Sequence, residues 1–187
     1  MEPLQRFALS YEMRHFAEAN WARKAERWSV TFYLPDERVG TAEITRVIPG
    51  VTPNPHAALE ADPGLLDRIP RVVFTDTGEL SAPVAALRPT LLLLLESVEV
   101  KAKWRGTGVG TGLAVTALRR LAVPGAVAVC YPAPIHDHGP DEPCSFTSQD
   151  PEVRRPDEEA MARLRRAWGR HGFAPIGEGV HARRIDP

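Results

Sequence analysis

The 187-residue sequence predicts an α/β domain of the α+β kind, a mixed and mostly antiparallel central sheet flanked by helices. Three observations predict it. Period-2 alternation recurs through the first fifty residues, the pattern of half-buried antiparallel strands. Two later apolar runs, Leu91–Leu95 and Ala126–Tyr131, read as buried central strands with a glycine loop and a helix between them. The 18 prolines crowd the connections and spare three windows, 4–34, 90–123 and 157–174, which suits regular elements because proline removes a backbone donor.

In the first window Phe7, Leu9, Tyr11 and Met13 alternate with polar or small residues, and Trp28, Val30, Phe32 and Leu34 do the same. The turn Pro35-Asp36-Glu37-Arg38 leads to a third strand, Val39–Ile48, and the three read as an antiparallel meander. Between the first two, Phe16–Arg27 is charged and alanine-rich, compatible with a short helix or a polar connection. Residues 49–89 mix turn signals with a helix over His56–Ile69, interrupted at Pro63-Gly64, and an apolar-periodic stretch, Leu80–Leu87. The second window holds a strand over Leu91–Lys101, the glycine loop, and a helix over Thr111–Leu121. A long polar loop spans Pro132–Pro156. The third window predicts a helix over Asp157–Arg170, acidic at its start and arginine-rich at its end as the helix dipole favours, and Val180–Ile185 is the last strand.

The formal net charge of −1 excludes a chain devoted to coating nucleic acid or an anionic membrane, both of which need a basic excess. Cys130 and Cys144 make neither a disulfide framework nor a CxxC pair, so a reducing, cytoplasmic setting is expected. Met1–Ser10 carries no apolar secretory core. The run Leu91–Leu95 is far too short to span a bilayer, and no membrane partner is expected. The sequence leaves a homodimer open.

Functional information concentrates in Val98-Glu-Val-Lys-Ala-Lys-Trp-Arg105-Gly-Thr-Gly-Val-Gly-Thr-Gly112. Glycines at alternate positions between a strand and a helix let backbone N–H groups approach an anion, and the helix N-terminus adds partial positive charge. A phosphate-bearing ligand is the expectation. The GxGxxG fingerprint fails, because Thr111 or Leu113 stands where its last glycine belongs, and GK[ST] is absent. Arg105, Gly108 and Gly110 satisfy [R/Q]xxGxG.

With that motif, the strand Ala126–Tyr131 after it and Trp168-Gly-Arg-His-Gly-Phe173 closing the last helix, the chain resembles the GNAT superfamily of acyl-CoA-dependent N-acetyltransferases. The resemblance covers 91 to the end, and the preceding strands suit the family's first half. It implies one domain over 1–187, with strands and a variable helical insertion in 1–89 and the acyl-CoA-binding half in 90–187. It further implies that the middle strands splay. Pantetheine of acetyl-CoA or another acyl-CoA would pair with the backbone around Val98 and Val100, and the pyrophosphate would sit on the N–H groups of Arg105, Gly106, Thr107, Gly108, Val109, Gly110 and Thr111. The Arg105 side chain would help to anchor the anion, and the Val100 N–H would polarise the thioester carbonyl.

Acyl transfer also needs a route for the amine's proton and a proton for the departing thiolate. Strict alternation puts Glu96 and Glu99 on opposite faces of their strand. On that basis Glu96 shares its face with Val98 and Val100, leaving Glu99 as the candidate base. The tyrosine that the resemblance leads one to expect as general acid is Trp168 here, whose indole is a donor only and a poor acid, and the asparagine expected seven residues earlier is Met161. Tyr131 and Cys130 are the substitutes. His136, His138, Asp141, Glu142 and Cys144 lack a standard zinc spacing, so no metal is expected. Among Arg154, Arg155, Arg163, Arg165, Arg166 and Arg170, some could meet the CoA 3′-phosphate or an acidic acceptor. The expected activity is N-acyl transfer to an amine, a small molecule or a protein. The alternative is a non-catalytic acyl-CoA sensor on the same fold.

Overall fold

In the computed structural model, residues 7–14, 25–51, 55, 68–134 and 151–187 are described, with 14 and 151–157 described by backbone alone. Seven strands form one sheet in the order β1-β2-β3-β4-β5-β7-β6. The strands are β1 (Ala8–Arg14), β2 (Ala25–Leu34), β3 (Glu37–Val47), β4 (Leu91–Val100), β5 (Ala126–Cys130), β6 (Ala174–Gly177) and β7 (Val180–Ile185). The helices are α1 (Arg68–Val73), α2 (Ala82–Ala85), α3 (Val109–Leu121) and α4 (Pro151–Arg170). Only β4 and β5 run parallel; every other adjacent pair is antiparallel. The helix α3 supplies the crossover that a parallel pair requires.

Both faces of the sheet's centre are buried. Leu91, Leu93 and Leu95 point to one side, where Phe32, Ile44, Leu113, Leu118 and Trp168 close a core. Leu92 and Leu94 point to the other, against Val127, Val129, Ile69, Val73 and Val84. This explains the unbroken leucine run: a central strand covered on both faces has no polar side to alternate with.

The meander over the first three strands forms as expected, with β2 beginning at Ala25 because Glu26 pairs with Arg46 across the hairpin and their side chains meet in an ion pair. The expected connection Phe16–Arg27 therefore ends in strand, and its remainder lies outside the described residues. The helix expected over His56–Ile69 lies largely outside them too; α1 continues it to Val73, with Ile69, Pro70 and Val73 buried. The stretch Leu80–Leu87 contains only the single turn α2, entered through Ser81 with Pro83 in its first turn. The helix α3 starts at Val109, two residues earlier than expected, and takes Gly110 and Thr111 into its first turn. The backbone of α4 begins at Pro151 instead of Asp157, which places Pro151 at the helix start, where its missing N–H leaves no bond unmade. The strand β6 was not expected, because Ala-Pro-Ile-Gly shows no alternation; it pairs with β7 through the turn at Glu178-Gly179. Among the described residues no helix is long and apolar enough to cross a membrane.

Candidate functional site at the divergence of two strands

The site begins with an irregularity in β4. Leu95 pairs with Ile44 and Ser97 pairs with Glu43, so Glu96 is one extra residue opposite no partner, a β-bulge. A bulge resets alternation. Before it, Leu91, Leu93 and Leu95 face α3; after it, Val98 packs into that same core, and a Cβ added to Gly110 of α3 would lie 3.2 Å from Val100 and 3.7 Å from Val98. Val98 and Val100 thus face the helix, as expected. Glu96 does not share their face. It binds Thr45, while Ser97 pairs with Glu43 and Glu99 with Thr41, all on the face of β3 opposite Ala42 and Ile44. The expected placement of Glu96 and Glu99 on opposite faces is corrected: the bulge brings both carboxylates to the face away from α3.

The second feature is where β5 stops. Leu95 is paired with Cys130, the last residue of β5, whereas β4 runs on to Val100. Past Leu95 and Cys130 the pairing ends, and among the described residues no strand pairs with the β5-side edge of residues 96–100. Such an edge offers backbone donors and acceptors to an extended segment.

The glycine loop lies at the end of this free edge. A 3-10 turn, Ala102–Trp104, leads into it, anchored by the Lys101 N–H on Val39 O at 2.9 Å. Gly106 (φ 75°) and Gly108 (φ 83°) are left-handed, and a Cβ at either would meet open space, so both glycines answer to backbone conformation and not to crowding. The Thr107 hydroxyl donates to Trp104 O (2.7 Å) and accepts the Val109 N–H (3.3 Å). The first intrahelical bond of α3 runs from the Gly112 N–H to Gly108 O at 3.1 Å, so Gly110 and Thr111 direct no N–H into the helix. The Arg105 N–H is committed to Ala102 O (3.1 Å), which narrows the expected cradle to its later members. The Arg105 side chain folds back, Nε to Val100 O at 3.2 Å, tying the loop to the strand end and leaving its other N–H groups exposed.

The face away from α3 carries Glu96, Glu99 and Tyr131. Glu96 is buried, its side chain 1% exposed, and held by the Thr45 hydroxyl and an ion pair with Arg27. Sequence reasoning set Glu96 aside on alternation. The signal that could have found it is a single charge abutting five leucines, a place where a carboxylate survives only with built-in partners. Glu99 is exposed. Tyr131, just past the end of β5, packs beside Val127 and Val129, and its hydroxyl accepts an N–H of Arg68 at 2.9 Å.

The other candidate acids separate clearly. Cys130 is buried, and burial pushes its thiol well above the usual range. Trp168 is 5% exposed and stacked edge-on against Phe173 at 5.0 Å, a core residue rather than a cleft residue. His181 on β7 pairs with Cys130, is buried, and has an Nδ1 without a hydrogen-bond partner; burial, then Arg165, lowers its pKa. His136, His138, Asp141, Glu142 and Cys144 lie outside the described residues, and among the described ones no group of three or more His, Cys, Asp or Glu is placed to hold a metal. Compared with family models, curated proteins and solved structures, the chain gives no match.

Proposed function

We propose that this protein binds an acyl-CoA, acetyl-CoA being the simplest, and transfers the acyl group to an amine by direct attack. One observation carries the proposal: the β4–β5 pairing ends at Leu95 and Cys130, and among the described residues β4 runs on alone on that side to a left-handed glycine loop that opens α3. A ligand with an extended amide-bearing arm and a pyrophosphate fits that pair of features, the arm along the free edge at Val98–Val100 and the phosphates at Gly106–Thr111. An end to β4–β5 pairing ahead of the glycine loop is compatible with the splayed middle strands that the GNAT resemblance implies.

In this reading the Val100 N–H polarises the thioester carbonyl. The amine nitrogen forms a bond to the carbonyl carbon, the C–S bond breaks, and the sulfur leaves as thiolate to take up a proton. Glu99, exposed on the acceptor face, accepts the amine's proton. Tyr131 supplies the proton to sulfur: its oxygen accepts from Arg68, so its own hydrogen stays free to donate. Glu96, bound to Arg27 and Thr45, positions the bulged backbone and takes no proton itself.

The test is calorimetric binding of acetyl-CoA followed by thiol release across an amine library. Arg105→Glu should weaken CoA binding at least tenfold, and unchanged affinity would overturn the loop assignment. A second reading, a non-catalytic acyl-CoA sensor, is favoured by the burial of Trp168 in the core, and tight binding without thiol release from any amine would establish it.

A further inference from the structure

Arg68 and Arg165 come to Tyr131 from different elements. Arg68 opens α1, its guanidinium 5.2 Å above the Tyr131 ring centre and its Nη1 on the hydroxyl. Arg165 approaches from α4. A Cβ built on Gly179, between β6 and β7, would lie 3.1 Å from the Tyr131 ring and 3.3 Å from Arg165 Nη2, so ring and guanidinium both border this glycine. Neither arginine forms an ion pair with a carboxylate among the described residues. Other cations of the sheet do have such partners: Arg27 has Glu96, Arg46 has Glu26, and Lys101 and Lys103 share Glu37. Two exposed guanidinium groups near one phenol, neither paired with a described carboxylate, have N–H donors to offer an anion.

We infer that Arg68 and Arg165, on either side of Tyr131, form an anion subsite, and that the acyl acceptor is an amine that also carries an acidic group, an amino acid being the simplest member of the class. The inference rests on the acyltransferase reading for the role of the acceptor. Tyr131 lies on the face away from α3, the face that also presents Glu96, Ser97 and Glu99 on β4. A zwitterionic acceptor bridging the divergence would meet carboxylates on the β4 side and guanidiniums on the β5 side. The same chemistry could be met by the 3′-phosphate of CoA, because α4, which carries Arg165, packs through Leu164 and Trp168 on the α3 side of the sheet; the second arm of the experiment separates the two sources.

The experiment has three arms. Acetyl transfer is compared for glycine against methylamine and for glutamate against 1-aminopropane; wild type should favour the acid-bearing amines at least tenfold in kcat/KM, and Arg68→Ala and Arg165→Ala should each collapse that ratio. A ratio near one in wild type, or one that survives both substitutions, overturns the inference. In the second arm, loss of affinity for CoA but not for dephospho-CoA in the variants would assign the arginines to the 3′-phosphate and overturn the acceptor class. The third arm is independent of activity: arginine side-chain NMR signals are followed while acetate and inorganic phosphate are added separately. Saturable shifts at Arg68 and Arg165 support the subsite, and their absence overturns it. Failure of acetyl-CoA to bind in calorimetry would instead remove the acyltransferase reading and leave the third arm to judge the subsite.

Discussion

The two halves of β4 are built on opposite principles. Leu92–Leu95 has a strand on each side, and with Leu91 a core on each face, so all five leucine side chains are buried. Glu96–Val100, its direct continuation, has among the described residues a strand on one side only, a bulge at its start and polar residues on the face away from α3. One strand thus changes from scaffold to site within a residue. The rigid half fixes where the divergence opens, and the bulge decides which side chains look into it. Function placed on a strand gains positional precision that a loop does not have.

The largest expected effect comes from the junction. Glu96→Ala leaves Arg27 without its buried partner and should cost about 3–5 kcal/mol in chemical denaturation, the range for breaking a buried pair. The double substitution Glu96→Leu with Arg27→Leu should recover much of that, because two apolar side chains need no pairing; recovery of less than a quarter would show that the bulge itself depends on the carboxylate. In the scaffold half, Leu93→Ala should cost about 2–5 kcal/mol by opening a cavity, while the affinity for acetyl-CoA of the protein that stays folded is unchanged. A parallel loss of affinity would erase the distinction between the halves.

Gly108 sharpens the comparison from the site's side. Gly108→Ala has room for its methyl group but must hold φ at 83°, a left-handed conformation that costs about 1–2 kcal/mol in an L residue. Gly110→Ala has the opposite problem, ordinary backbone and a 3.2 Å contact with Val100. The first should lower stability modestly and weaken acetyl-CoA binding more than stability. The second should push α3 from β4. Equal effects of both on binding and on melting temperature would mean that the loop's conformation has no role in ligand capture.

Much of this was legible in the sequence, for definable reasons. The strands of the meander alternate because one face is wet, and Val180–Ile185 was placed to the residue because its flanking glycines end it on the N-terminal side. The glycine loop declared itself through spacing. The orientation of Glu96 was not legible, since a bulge is a property of two strands in register and Ile44 opposite Leu95 is written nowhere in β4's own sequence. Arg68 meets Tyr131 from 63 residues before it, and Arg165, 34 residues after, borders the same Gly179 as the ring, an arrangement that only topology can make. The strand β6 was hidden by its proline and glycine, tolerable there because it lies at the sheet's edge.

The smallest expected effect is a pH dependence along the row where the scaffold half ends. Leu95, Cys130 and His181 lie side by side across three strands, and the imidazole shares the buried face of Cys130. Burial and Arg165 hold His181 below the ordinary histidine pKa, and burial with Arg183, Arg170 and Arg119 does the same to His171. The unfolded chain takes up protons near pH 6.5 while the native state resists them, so the stabilisation is complete above about pH 6.5 and declines as pH falls below it. Denaturant midpoints at pH 7.5 and 5.5 should differ in that direction for the wild type. His181→Gln, which cannot titrate, should shrink the difference while His171 keeps the remainder. An identical pH response in wild type and variant would show that the imidazole is solvated in both states, and that the enclosure of β4's first half stops at Cys130 without reaching β7.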